Sequence, residues 1–224
     1  MSGARGIRGD AQGRDPLERW YTPDRLAAEH VGWTVAMLQR SSDPGRSRAR
    51  VVDPFAGGGA YLRAAAAAGL DGYGSDIAPG APDIAEGDWN SWRTWRPVGG
   101  WRARDVIVTN PPFTLFGWDM VATPDLPISL LLPINALEPT NDREHLFDAR
   151  PPLAIRFIGR VRFGGPAAEL RDELRAAAGK RRVVNASMSY AFVLWGLPVR
   201  RPVPTLASWM RPSRPAVPSP GVHP

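Results

Sequence analysis

Short apolar runs, each cut off by proline or glycine, alternate along this chain with stretches of helical period. Leu26, Ala27, Val31, Thr34, Val35 and Leu38 recur at helical spacing and predict a helix from Pro23 to about Gln39. Thr22 suits its N-cap, Pro23 the first helical position and Asp24 the first turn, and Ser41 to Gly45 ends it. A-R-V-V then predicts a strand over Arg50 to Phe55. The nearly all-alanine stretch Ala60 to Ala68 predicts a helix, with Gly69 as its C′ residue. A second strand is expected over Gly72 to Ser75, ending in Asp76, and a third near Asp83–Ala85. Val106, Ile107 and Val108 are β-branched and favour a buried strand, which must stop at Pro111 because proline has no N–H for the ladder. Leu126 to Ile134 is apolar enough to be a strand buried on both faces, and Ala154–Val161 and Ser189–Trp195 supply the sixth and seventh. Helices are expected over Glu138–Phe147 and Pro166–Ala178, and a short helix or loop over Thr114–Val121. Seven strands with helices between them predict an α/β sheet.

The apolar pattern bounds one domain. Residues 1–15 are rich in Gly, Arg and Asp without a hydrophobic period and read as a disordered lead-in. Residues 16–197 carry every predicted element, and 198–224 read as an extended basic, Pro-rich tail. No internal repeat is visible.

Two loops carry chemistry. Strand, D-P-F-A-G-G-G turn and helix make the first half of a dinucleotide-type βαβ unit, in which glycines let the backbone approach a ligand at the helix N-terminus. A carboxylate at the end of the next strand, Asp76, is positioned for ribose hydroxyls. No Gly-Lys-Ser/Thr follows the turn, which excludes a phosphate loop, and Gly-x-Gly-x-x-Gly is not reproduced. The second loop is N-P-P-F, residues 110–113. Consecutive prolines hold Asn110 and Pro111 extended, so the strand ends in a stiff loop presenting an amide, free carbonyls and a ring. The Asn110 side-chain oxygen and the Pro111 carbonyl can both accept from one exocyclic amino group, and Phe113 offers a flat face for a heterocycle.

Composition narrows the partner. The formal charge is +6, and Lys180 is the only lysine among 28 basic residues. Arginine suits phosphate through its bidentate fork, so the balance points to nucleic acid. Four tryptophans, Trp89, Trp92, Trp95 and Trp101, interleave with Arg93, Arg96, Arg102 and Arg104, which reads more simply as core tryptophan with solvated arginines than as a surface for bases. With no cysteine, disulfides, thiolate metal sites and cysteine catalysis are excluded. His30, His145 and His223 are scattered and are expected at helix-surface or loop positions, so no metal site is expected. No apolar run nears the ~18 residues of a membrane span and no signal core is present, so the protein is expected to be soluble and cytoplasmic.

Asn110-Pro111-Pro112-Phe113 resembles the Asn-Pro-Pro-Tyr/Phe motif of amino-group methyltransferases, most closely the N6-adenine DNA methyltransferases. Asp53-Pro54-Phe55-Ala56-Gly57-Gly58-Gly59 resembles their Asp-Pro-Phe-x-Gly-x-Gly motif, and Tyr21-Thr22-Pro23 the tripeptide before their first helix. The resemblance covers roughly residues 16–197, in the γ-type motif order. It implies a Rossmann-like class I methyltransferase sheet, strands in order 3-2-1-4-5-7-6 with the last antiparallel and helices on both faces. It implies S-adenosylmethionine as cofactor: Tyr21, Thr22 and Pro23 at its methionine end, Asp53 facing its ammonium, and Pro54, Phe55, Gly57 and Gly59 in the turn. Asp76, with Ile77 beside it, lies where the family has its ribose-binding acid, and Asp88-Trp89 where the adenine is held. The implied reaction is methyl transfer to the N6 amino group of adenine in DNA. RNA adenine, a protein glutamine amide, or a non-catalytic nucleic-acid-binding module on the same scaffold are the alternatives. Sequence-specific members carry a separate target-recognition domain, which has no counterpart here, so sequence choice would fall to short loops around Phe113–Pro124 and Phe163–Arg182, to an oligomer, or be loose.

Overall fold

The computed structural model describes residues 17, 19–40, 49–88, 97–113, 121, 126–138, 147, 150–179 and 188–196. Helix α1 (Asp24–Arg40) precedes β1 (Arg50–Asp53), α2 (Ala60–Ala67), β2 (Gly72–Asp76), β3 (Ala85–Glu86) and β4 (Asp105–Thr109). Then come β5 (Ile128–Pro133), a 3-10 turn (Ile134–Leu137), β6 (Ala154–Arg160), α3 (Pro166–Ala177) and β7 (Ser189–Trp195). The strands form one sheet in the order β3-β2-β1-β4-β5-β7-β6. Neighbours are parallel from β3 through β5, and β7 runs antiparallel to both β5 and β6.

The central strands are buried along their whole length, as continuous apolar runs require when both faces are covered. The two-residue period of a strand divides them between two cores. Val51, Val106 and Val108 face Ala27, Val31 and Leu38 of α1 and Ala64 and Ala65 of α2. Val52 and Ile107 face the other way, with Ile128, Leu130, Val193 and Trp195. Alanines let α1 and α2 lie close to the sheet and to each other.

Elements match the expected ones to within a residue or two at most ends. Three differences have simple causes. The first strand stops at Asp53 because Pro54 cannot donate to a ladder. The fifth is shorter than Leu126–Ile134, since the chain tightens into the 3-10 turn after Pro133. The third is only Ala85–Glu86, paired to Ser75 and Asp76. The expected tails, Trp89 with Trp92 and Trp95, His145, His223 and almost all of 114–121 and 138–147 lie outside the described residues. Trp101 packs half-buried against the second core while Arg102 and Arg104 are exposed.

Opposite the site, one ion pair pins β1 to β4. Arg50 donates to both oxygens of Asp105, Nε at 2.9 Å and Nη2 at 2.7 Å, with both side chains nearly solvent-free. The Arg102 amide and the Gly100 carbonyl complete their hydrogen bonding. Arg50 and Asp105 are register partners, so this pair fixes how far the two strands extend at their other ends.

Candidate active site

Strand order reverses between β1 and β4, and a crevice opens beyond their carboxyl ends, where such sheets hold ligands. Asp53 ends β1, Asp76 ends β2 and Asn110 follows β4.

Asn110 is buried, and its Nδ2 donates to the Trp20 carbonyl at 3.0 Å. A carbonyl can only accept, so this bond fixes which end of the amide is which. Oδ1 is left buried without a hydrogen-bond partner. An orphaned acceptor of this kind costs about 1–3 kcal/mol and calls for a donor from outside the chain. Pro111 is buried, Pro112 half-buried, and the half-buried Phe113 leans on Tyr190 at 5.9 Å between ring centroids.

The Gly-rich turn is shaped for backbone approach. Gly57 and Gly59 have φ of 49° and 80°, a left-handed conformation that other residues rarely adopt. Asp76 holds the turn: Oδ2 accepts from the Gly57 amide and Oδ1 from Ala78, both at 2.8 Å. Asp53 accepts from the Phe55 amide at 3.2 Å through Oδ1, while Oδ2 is buried without a hydrogen-bond partner. Burial pushes the Asp53 carboxyl up to about 7, the Thr109 side chain and the Phe55 amide oppose this, and the charge of Asp76 adds to it.

Residues 19–22 run along the crevice. Tyr21 forms an antiparallel bridge to Gly164, its N–H and C=O each bonded at 2.9 Å. The Tyr21 ring is cradled by glycines, where a Cβ on Gly57 would stand 2.8 Å and one on Gly165 2.7 Å from it. A Cβ on Gly80 would be 2.6 Å from the Tyr21 hydroxyl oxygen.

This ring divides the crevice into two lobes whose shared wall is Trp20, Tyr21, Phe55, Gly57 and Asn110. The first encloses about 650 Å³ open to solvent, bounded further by Pro54, Asp76, Ile77, Asp88 and Pro112. Asp88 and Ile77 are exposed there. The second, also open to solvent, spans about 430 Å³ and adds Thr22, Asp53, Tyr61 and Arg63. Of the residues expected at a site, Pro23, Gly59, Pro111 and Phe113 line neither lobe, and Trp89 lies outside the described residues.

No family profile and no curated protein matches the sequence. Among solved structures, the chain is similar to a protein of Pyrococcus horikoshii provisionally named an RNA methyltransferase. Identity is 12% and the TM-score 0.50, over 80% of this chain and 88% of that one. It is also similar to a SAM-dependent methyltransferase of Archaeoglobus fulgidus, at 11% identity and a TM-score of 0.44, over 77% and 94%. The likeness is one of fold. With its order β3-β2-β1-β4-β5-β7-β6 and antiparallel β7, this is the Rossmann-like class I methyltransferase sheet.

Beneath the site of this methyltransferase sheet lies a polar chain that the sequence did not suggest. His30, expected at a helix surface, is fully buried, which corrects that expectation. It falls on the inner face of α1 with Ala27, Val31, Thr34 and Leu38, and its ring stacks on Phe192 at 4.2 Å. Nδ1 is 2.9 Å from the Tyr61 hydroxyl and Nε2 2.8 Å from Ser129 Oγ, and Thr34 donates to the same Oγ at 2.8 Å. Burial holds the imidazole neutral by lowering it to about 3. The spacing of His30 from Ala27, Thr34 and Leu38 was the available signal. Trp20, Tyr61 and Arg63 were also missed as lining residues. Among groups of His, Cys, Asp and Glu in the described residues, none could hold a metal ion.

Proposed function

We propose that this protein transfers a methyl group from S-adenosylmethionine to the N6 amino group of adenine in DNA. The observation that carries the reading is Asn110 Oδ1, a buried acceptor without a hydrogen-bond partner on a residue of the wall shared by the two lobes. It needs a donor, and an exocyclic amino group is one.

The residues of the second lobe fit the amino-acid end of the cofactor. Asp53 Oδ2 lacks a partner and suits an ammonium, and Thr22, Tyr61 and Arg63 offer donors to a carboxylate. Asp76 and Asp88 border the first lobe, where ribose hydroxyls and a purine would lie. When bound, the cofactor supplies an electrophilic methyl on a sulfonium.

Asn110 does the rest by geometry. Accepting from the amino group at Oδ1, together with the Pro111 carbonyl, draws that nitrogen from planar towards tetrahedral and frees its lone pair from the ring. A cofactor held there would supply the methyl, its sulfur keeping the S–C electron pair, and the amino group oriented by Asn110 would give up one proton to water. Positioning of this kind can lower the barrier by about 7–11 kcal/mol, without a strong base. In a duplex the base must leave the stack at a cost of a few kcal/mol, which stacking on Phe113 would offset in part. Arginine-rich charge favours a polyanionic substrate over a protein amide.

The test is methyl incorporation from labelled cofactor into unmethylated duplex DNA, single-stranded DNA and total RNA, with mass spectrometry of the nucleosides. N6-methyladenine from DNA is expected. Label confined to RNA overturns the choice of substrate. No methylated nucleoside in any pool, with cofactor bound, overturns the nucleic-acid reading altogether.

A further inference from the structure

Tyr61 follows the Gly-rich turn as the second residue of α2 and is 2% exposed, yet it forms part of the wall of the second lobe. The polar chain behind it runs through His30 to Ser129 and Thr34. Ser129 Oγ lies 2.8 Å from both Thr34 Oγ1 and His30 Nε2, and when Thr34 donates to it the Ser129 proton goes to Nε2. A neutral imidazole has one N–H, which is then Nδ1–H, and it donates to the Tyr61 oxygen. With His30 donating, the Tyr61 proton turns away from the ring, towards the lobe and the Thr22 side chain beside it.

Asp53 stands in the same lobe with an oxygen that no hydrogen bond reaches, so Tyr61 does not satisfy it. An inward O–H wants an acceptor while the neighbouring carboxylate wants a cation. One molecule supplies both: an α-amino acid, with its carboxylate and its ammonium.

We infer that Tyr61 donates to the carboxylate of the amino-acid end of the cofactor, and that His30, backed by Ser129 and Thr34, is the positioning residue that fixes the direction of that donor. This rests on the reading of the crevice as a cofactor site. It gives the buried histidine a task in ligand binding without contact with the ligand.

The experiment is calorimetric binding of two nucleosides to the full chain: S-adenosylhomocysteine, which keeps the amino-acid end, and 5′-methylthioadenosine, which lacks it. Tyr61→Phe is expected to weaken the first about tenfold or more, as for a bond to a charged group, and to leave the second unchanged. His30→Leu is expected to do the same, and His30→Gln, which can donate again, to recover part of the loss. Equal losses for both nucleosides in Tyr61→Phe would mean a structural role only and would overturn the inference, as would unchanged S-adenosylhomocysteine binding. Failure of the wild-type chain to bind either nucleoside overturns the cofactor reading and takes this one with it.

Discussion

Asp53→Asn separates the stability of the crevice from its use. Burial raises the Asp53 carboxyl from 3.8 to about 7, so between those values the folded protein keeps a proton that the unfolded chain has lost. Stability attributable to this group is thus present below pH 3.8 and declines as pH rises through about 7. At 1.36 kcal/mol for each pH unit the whole span comes to about 4 kcal/mol, of which roughly 3 falls between pH 5 and pH 8. Asparagine does not titrate, and its unmet amide protons cost about 1–3 kcal/mol at every pH. By pH 5 wild type has already lost roughly 1–2 kcal/mol of that span, so the variant should be close to wild type at pH 5 and about 1–3 kcal/mol more stable at pH 8. The difference in midpoint should move in its favour by roughly 6–12 °C between the two. Thermal melts at both pH values read this directly, and contributions from all other groups cancel in the comparison. Binding should run the other way. S-adenosylhomocysteine should hold the wild type about tenfold less tightly for each pH unit below 7, because its ammonium needs the ionised carboxylate. The variant should bind weakly with little pH dependence. Parallel melting profiles for the two proteins from pH 5 to 8 would refute the claim that burial of Asp53 outweighs its hydrogen bonds.

Further expectations concern separate parts of the molecule. Asn110→Ala should abolish methyl transfer, measured with labelled cofactor, while the calorimetric Kd for S-adenosylhomocysteine changes little. Arg50→Ala should cost about 3–5 kcal/mol in urea melts by stranding Asp105 in the interior, without changing nucleoside binding to whatever protein remains folded. Gly57→Ala meets the Tyr21 ring at 2.8 Å as well as a left-handed φ, whereas Gly69→Ala meets the φ alone, with open space around it. Gly69→Ala should cost about 1 kcal/mol and Gly57→Ala distinctly more, with loss of binding only in the latter. His30 titrates at about 3 rather than 6.5, so its contribution is whole above pH 6.5 and disappears as pH falls through about 3, up to about 5 kcal/mol in all. Acid melts of His30→Gln should be flatter over that window.

Much of this was open to reading because local chemistry and global arrangement agree. Val51-Val52-Asp53-Pro54 and Val106 to Pro111 announce both their strands and the points where those strands must stop. Ser189 to Trp195 matches its strand residue for residue. What could not be read was set by partners distant along the chain. The two-residue β3 exists because Ser75 and Asp76 offer a ladder, not because Ala85-Glu86 favours one. Nothing local tells that the Trp20 carbonyl, 90 residues away, turns the Asn110 amide. His30 looks like a surface residue until Tyr61 and Ser129, from two other elements, supply its hydrogen bonds. The Tyr21 ring reads as part of a helix entry, whereas its role as a partition comes from four glycines in three separate loops.

The antiparallel insertion of β7 has a consequence for how the protein is made. β7 lies between β5 and β6, pairing Ile128 with Trp195 on one side and Ala154 with Leu194 on the other. During synthesis β5 emerges about sixty residues earlier, which at 5–20 residues per second leaves its open edge waiting roughly 3–12 seconds. That edge is Leu130-Leu131-Leu132, an unpaired apolar strand of the kind that joins to other chains. β6 cannot shield it, having only β7 as a neighbour. The nascent chain is thus most exposed to aggregation just before β7 arrives, and variants that weaken β7, such as Phe192→Ala, should lower soluble yield out of proportion to their effect on the finished fold.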